Sequence, residues 1–284
     1  MKNTNKKIIF ISSYPKSGNT WLRCIISALL NNQNGKFHFD DLINIGLFSR
    51  ESHFKHIKDL QYQKNGNLDF NFLSNHWIKA QQKINSENSK IKFFKTHSVR
   101  KISDRCFTDE SVCLGYIYII RDPRDIAISY THHCGGNLDV AIHTMLFNEK
   151  NYSSHHKANE LVSTWKQHLF SWNKFNTVPR LFIKYEDMLE DSKKILLEII
   201  SFINNLTNLS IRQDGVFLNN VLGSTNFAYL QSLETKNDFK EATANTSFFR
   251  KGTANQWRSI LTKEQKNLIK NELKVPMEHL GYLN

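Results

Sequence analysis

The stretch Ile8-Ile9-Phe10-Ile11-Ser12-Ser13-Tyr14-Pro15-Lys16-Ser17-Gly18-Asn19-Thr20-Trp21 decides how this chain is read. Its first residues, apolar and mostly β-branched, predict a buried strand over Ile8 to Ser12. Turn-forming residues follow, and apolar side chains then recur at helical spacing from Thr20 to Leu30. A strand, a short loop and a helix start gather free backbone N–H groups and the positive end of the helix dipole at one point. Phosphate or sulfate oxygens can be held there. Gly18 lets the backbone approach closely, Lys16 supplies a mobile positive charge, and Thr20 offers a hydroxyl. Taken alone, the loop reads equally well as an ordinary capped turn with a surface lysine. Its order also departs from G-x-x-x-x-G-K-[ST], since the lysine precedes the glycine, which argues against an ATPase.

The same alternation continues outward. Short β-branched or aromatic runs at Ile91 to Lys95, Gly115 to Ile120 and Leu181 to Tyr185 predict further strands. Helical spacing predicts helices over Pro123 to His132, Asn159 to Asn176, Ser192 to Ile203 and Lys263 to Leu273, the third with Ile195, Leu196, Ile199, Ile200 and Ile203 on one face. The expected fold is therefore α/β: a single domain over residues 1–284 whose central, mostly parallel sheet is flanked by helices in a P-loop-like nucleotide-binding arrangement. The polar stretch from Phe37 to Trp77 has no clear periodicity.

The 284 residues are 40% hydrophobic, 12% aromatic and 23% charged, the composition of a folded globular chain rather than a disordered one. The longest apolar run, Leu114 to Ile120, is far too short to span a bilayer, and the N-terminus lacks the apolar stretch of a signal peptide. A cytoplasmic protein without membrane contact is expected. Cys24, Cys106, Cys113 and Cys134 form no C-x-x-C pair, so packing as reduced thiols is their simplest role. Thirty-eight Lys and Arg against twenty-six Asp and Glu give a net charge of +12, which points to an anionic partner. The basic residues form no long block and no interleaved aromatic pattern, so a nucleic-acid partner is not expected.

The segment Tyr14-Pro15-Lys16-Ser17-Gly18-Asn19-Thr20-Trp21 resembles the 5′-phosphosulfate loop of the PAPS-dependent sulfotransferases. Ile119-Ile120-Arg121-Asp122-Pro123-Arg124-Asp125-Ile126-Ala127-Ile128-Ser129-Tyr130 is similar to that family's 3′-phosphate strand and helix, and Asp122 before Pro123 also reads as a helix cap. Phe249-Arg250-Lys251-Gly252-Thr253-Ala254-Asn255-Gln256-Trp257 resembles its late R-K-G loop. Lys95-Thr96-His97 matches the catalytic K-T-H, Tyr185-Glu186-Asp187 resembles a Y-E-D segment, and Thr225-Asn226-Phe227 loosely matches a T-S-F adenine contact. Asn19 stands where many members have Thr, and Asn255-Gln256 where Gly-Asp is common. Arg258 to Asn267 only faintly echoes the dimer motif of the animal cytosolic enzymes, which leaves the oligomeric state unread. Tyr14 to Cys24 looks closer to bacterial members, including those that sulfate glycopeptide antibiotics.

The resemblance implies a sulfotransferase fold and the transfer of a sulfuryl group from PAPS to a hydroxyl or amine of a small-molecule or glycan acceptor, leaving PAP. It implies that His97 is the general base, that Lys16 neutralises charge on the bridging oxygen, that Lys95 supports the sulfuryl oxygens, and that Ser129 holds the 3′-phosphate and restrains Lys16. The implied donor-binding residues are Lys16, Ser17, Gly18, Asn19, Thr20, Trp21, Arg121, Ser129, Tyr185, Phe227, Arg250, Lys251 and Gly252, with Trp21 against adenine. A lone histidine is more often structural than catalytic; for His97, its place after Lys95 and between the phosphate motifs reverses that preference. No metal is expected: adjacent histidines, as in His132-His133 and His155-His156, point to different sides of a helix and lack carboxylate or cysteine companions. The acceptor pocket is expected from Phe37 to Trp77 and from the segment after Tyr130. A P-loop nucleotide kinase is the competing enzyme reading, and a polyanion-binding module the non-enzymatic one.

Overall fold

Ile8–Ser13 forms β1, buried along its whole length, as the inner strand of a parallel sheet must be. A computed structural model describes residues 6–87, 90–134, 136–155, 157–236 and 249–283. The further strands are β2 (Lys92–Thr96), β3 (Lys101–Ile102), β4 (Arg105–Cys106), β5 (Cys113–Ile120), β6 (Tyr152–His155), β7 (Ala158–Leu161) and β8 (Arg180–Lys184). The helices are α1 (Asn19–Asn31), α2 (Phe70–Glu87), α3 (Pro123–Cys134), α4 (Leu138–Phe147), α5 (Trp165–Asn173), α6 (Tyr185–Glu190), α7 (Ser192–Leu206), α8 (Gly215–Thr225), α9 (Phe227–Lys236), α10 (Trp257–Ile260), α11 (Lys263–Glu272) and α12 (Lys274–His279).

The main sheet has the order β2-β1-β5-β8, and β1 pairs in parallel with both of its neighbours. The α/β fold with a parallel sheet expected from the alternation of strands and helices is thus borne out. Register runs from Ile8 opposite Lys92 to Ser12 opposite Thr96, so β1 and β2 end side by side. In open parallel sheets the crevice beyond the strands' carboxyl ends is where ligands bind. Two two-stranded ribbons, β3-β4 and β6-β7, stand apart from this sheet.

The chain forms two compact units interleaved along the sequence. The first comprises 1–14, 45–119 and 147–182, and holds the sheet up to Ile119 and Phe182 together with α2 and α5. Its core is rich in rings: Phe10, Phe48 and Phe107 meet with centroids 5.1–5.7 Å apart, and Trp77 and Trp172 are 1% and 0% exposed. The second comprises 15–44, 120–146 and 183–284, and holds α1, α3 and the helices from α6 onward. There Ile195, Leu196, Ile199, Ile200 and Ile203 form the buried face of α7, as their spacing predicts.

Two stretches differ from the sequence expectation. The helix expected over Asn159 to Asn176 is in fact strand β7 followed by the shorter α5. Ser163 takes a left-handed φ of 61°, and the Thr164 side chain caps α5 by accepting the Gln167 N–H, so the chain turns a corner where apolar spacing alone runs on. The unassigned region after Phe37 contains two 3₁₀ segments, Phe39–Ile45 and Glu51–His53, before α2 begins with Asp69 accepting the Phe72 N–H. Cys24, Cys106 and Cys113 are in no disulfide; His156 and the side chains of His133, Cys134 and His155 lie outside the described residues. No helix among the described residues is long and apolar enough to cross a membrane.

Candidate active site

In the second unit the motifs converge on the start of α1. Lys16 and Gly18 both adopt left-handed backbone, at φ 69° and 101°. Gly18 precedes α1 without a side-chain cap, no acidic residue occupies the first turn, and the Leu22 N–H donates to the Gly18 carbonyl at 3.1 Å. Asn19, Thr20 and Trp21 form the first turn of the helix, at the positive end of its dipole. The Ser17 hydroxyl is buried and has no hydrogen-bond partner among the described residues. A buried, unmatched donor in such a loop suits an anionic ligand.

Arg121, at the end of β5, reaches this loop. Its guanidinium donates to the Lys16 carbonyl and to the Thr253 carbonyl, each at 3.1 Å, and lies 4.2 Å from the centre of the Tyr185 ring. Its Nε, also buried, has no partner among the described residues. The Tyr185 ring fills the space in front of Gly18 and meets Trp21 edge to face at 5.7 Å. The Trp21 indole donates to the Thr225 carbonyl at 2.7 Å, joining the first motif to the segment before Phe227. Phe227 in turn presses on Gly252, whose left-handed φ of 60° and missing side chain admit the ring, and it meets Phe249 at 5.9 Å.

The late loop is anchored to α3 by a carboxylate. Asp125 accepts the Asn255 N–H on one oxygen at 2.7 Å and the Trp257 N–H on the other at 3.0 Å, and burial raises its carboxyl above the usual value. Arg124 is held in a fork with Asp122, at 2.9 and 2.6 Å, and its Cζ lies over the Trp257 ring, 3.6 Å from its centre, so it serves as a strut. The Asp122 carboxylate also accepts the Arg124 N–H, the capping role expected of it. Glu186 ties this corner down by accepting the Asp122 N–H and the Tyr282 hydroxyl. Burial, and then the charge of Arg121, lower the Arg250 guanidinium. His132 is lowered first by burial and then by Arg250 and Lys251, so cationic groups crowd one region of this unit.

In the first unit, His97 stands just beyond β2 and is nearly buried. Its Nδ1 lies 2.8 Å from the Ser13 carbonyl oxygen, which can only accept, so Nδ1 carries a proton and Nε2 is the nitrogen that can act as a base. The His97 N–H donates to Glu160 at 3.0 Å, and its carbonyl faces His168 Nε2 at 3.1 Å. Lys95 lies on β2, two residues earlier, with its main chain bonded to Gly46 and Phe48.

A sequence profile of the sulfotransferase domain matches residues 6–281. The chain belongs to the sulfotransferase family. This sulfotransferase is 24% identical over 275 residues to Sulfotransferase 1A1 of Bos taurus, a match covering 92% of this chain and 80% of that one. It is 25% identical over 266 residues to Flavonol 3-sulfotransferase of Flaveria bidentis, covering 90% and 77% of the two chains. Among solved structures it is similar to the mouse sulfotransferase SULT7A1 complexed with PAP, with a TM-score of 0.60, 21% identity, and coverage of 96% and 84%.

Of the residues singled out from the sulfotransferase motifs, Lys16, Gly18, Trp21, Arg121, Tyr185, Phe227, Arg250 and Gly252 are linked through direct contacts or mutual charge within the second unit. Ser129 is half-buried on α3, and Lys251 is exposed. Sequence reasoning overlooked Asp125, which sat inside a quoted motif without a role, and Glu160, which was expected in a helix. Asp125 carries a local signal, an acid three residues after Asp122 on a helix start; Glu160 carries none, because its partners are more than sixty residues away.

Proposed function

We propose that this sulfotransferase takes PAPS as donor and moves its sulfuryl group to a hydroxyl or amine of an acceptor, releasing PAP. The observation that carries this reading is the crowding of Arg121, Arg250 and Lys251 in the unit that holds the left-handed Lys16–Gly18 loop. A partly buried guanidinium with a second cation beside it, as Arg250 has in Arg121, is stabilised by a bound anion, and more phosphate-binding groups are present than a 5′-phosphate alone requires. The unpartnered Ser17 hydroxyl and Arg121 Nε, together with the glycines faced by Tyr185 and Phe227, fit a nucleotide with two separate anionic ends.

In this reading the loop amides, Ser17, Asn19 and Thr20 hold the 5′-phosphosulfate, while Arg121, Ser129, Arg250 and Lys251 hold the 3′-phosphate. Trp21, Tyr185 and Phe227 hold adenine. Bound PAPS supplies a sulfuryl group already activated on a phosphate. Lys16 neutralises charge at the bridging oxygen, Lys95 supports the sulfuryl oxygens, and His97 Nε2 takes the acceptor proton. Ser129 restrains Lys16 until the acceptor arrives. The acceptor is a small molecule or glycan; the Flaveria relative is named for a flavonol, which supports a small hydroxyl compound. A profile running through both compact units supports treating them as a single domain.

Calorimetric titration with PAP, AMP and ATP tests this. PAP is expected to bind far more tightly than AMP. Equal affinities for PAP and AMP would remove the reading, and a preference for ATP would favour a kinase. Binding without nucleotide preference that collapses steeply with salt would favour a polyanion module.

A further inference from the structure

Glu160 is an acid with no exposed surface, carried on β7. Its Oε1 accepts the Thr96 hydroxyl at 2.7 Å, the His97 N–H at 3.0 Å and the Ser49 hydroxyl at 3.4 Å; Oε2 is buried with no partner among the described residues. Burying a carboxylate against hydroxyls and one amide costs stability compared with an apolar side chain of similar size, so its use lies in what it holds. What it holds is the corner where β2 ends: Thr96 Oγ1 also accepts the Ser98 N–H, and the next residue of β7, Leu161, accepts the Val99 N–H at 2.7 Å.

The opposite side of His97 is held as well. His168 is fully buried, and burial pushes its imidazole down to about 3, so it is neutral. Its Nε2 faces the His97 carbonyl and must donate; Nδ1 then accepts the Tyr118 hydroxyl at 2.8 Å. The amide N–H, the carbonyl and the ring Nδ1 of His97 thus each have an assigned partner: Glu160, His168 and Ser13.

From this clamp we propose that Glu160 is a positioning residue for His97, holding its backbone so that the ring keeps the proton on Nδ1 and presents Nε2 as the base. The proposal rests on His97 being the base. A misplacement of about 1 Å in such a group can cost on the order of 100-fold in rate. The Oε1 of a glutamine can accept the same three bonds, whereas alanine removes the acceptor of the His97 N–H and of the Thr96 and Ser49 hydroxyls.

The test reads the His97 ring by ¹⁵N NMR, without any acceptor, in the full chain and in Glu160→Ala, Glu160→Gln and Thr96→Val. The original protein is expected to show the Nδ1–H tautomer; Glu160→Ala should show a mixture with Nε2–H, and Glu160→Gln should restore the single form. If Glu160→Ala does not fold, Thr96→Val gives the same reading through the loss of one arm of the clamp. Transfer from PAPS to p-nitrophenol should fall about 10- to 100-fold in Glu160→Ala while PAP affinity stays within about twofold. In a His97→Ala background, Glu160→Ala should add almost nothing, because groups acting through one another are not additive. An unchanged tautomer in both Glu160→Ala and Thr96→Val, or losses that add, overturns the positioning role and leaves His97 as the base. Full turnover in His97→Ala removes the base instead and leaves the tautomer result standing.

Discussion

Gly18 and Tyr185 touch so closely that a Cβ built on Gly18 would stand 2.6 Å from Cδ2 of the tyrosine ring. The loop lies against the ring only because that carbon is missing, and the φ of 101° is one that other residues adopt at a cost of roughly 1–2 kcal/mol. Tyr185 is held in turn by Arg121 above its face and Trp21 at its edge, so the ring cannot retreat without disturbing both.

Gly18→Ala should therefore weaken PAP binding by at least about tenfold, the effect of 1.4 kcal/mol of loop distortion. Tyr185→Ala in the same chain should recover part of that loss by removing the clash. Calorimetry on the single and double variants checks this; equal PAP affinity in Gly18→Ala and the unaltered protein would show that the loop is more compliant than its contacts indicate.

The bridge from Asp125 to the Asn255 and Trp257 amides predicts a selective effect on the 3′-phosphate. In Asp125→Asn one carboxylate oxygen becomes an NH₂ group facing an N–H donor, at a cost of about 1–3 kcal/mol in stability. The advantage of PAP over AMP should shrink as the Arg250–Lys251 loop loosens, while AMP affinity changes little. Arg250→Ala should reduce the same advantage with much less effect on the thermal midpoint. Loss of AMP and PAP binding in parallel would assign Asp125 to the whole cradle instead of its late loop.

His97 and Lys16 should separate in kinetics. His97→Ala should lower turnover by about 10²–10⁴ with PAP affinity nearly intact, the ordinary contribution of a positioned base. Lys16→Ala should weaken PAPS binding somewhat and slow transfer much more, because its charge matters most as the bond to the bridging oxygen breaks. Release of PAP that depends on added acceptor measures both. Comparable losses of PAP affinity in the two variants would contradict the division of labour.

The buried neutral His168 predicts an acid-dependent loss of stability. Its value of about 3 in the folded chain lies below the ordinary 6.5, so between these limits the unfolded chain binds more protons. The contribution is complete above pH 6.5 and is lost as pH falls toward 3, at no more than ~1.4 kcal/mol per pH unit. Asp125 and Glu160 are shifted upward by burial and act in the opposite sense, so the effect is isolated by comparison with His168→Phe. The stability gap between the two proteins, from urea titrations, should narrow steadily from pH 6.5 to pH 4. A constant gap would show that His168 titrates while folded.

The sequence alone determined the alternation of strands and helices, the glycine-led start of α1 and the kinship carried by Lys16, Arg121 and Arg250. Each of these is a local pattern: β-branched runs, a glycine before a helix, a cation at a strand end. Only the tertiary structure decided that Tyr185 roofs Gly18, that Asp125 ties the late loop to α3 with Arg124 over Trp257 beside it, and that Glu160 sits under His97 on a strand where apolar spacing predicted a helix. The reason is physical. A propensity is set by a residue and its near neighbours, whereas a buried acid, a ring against a bare Cα or a proton fixed on one ring nitrogen depends on partners that the chain brings together across dozens of residues.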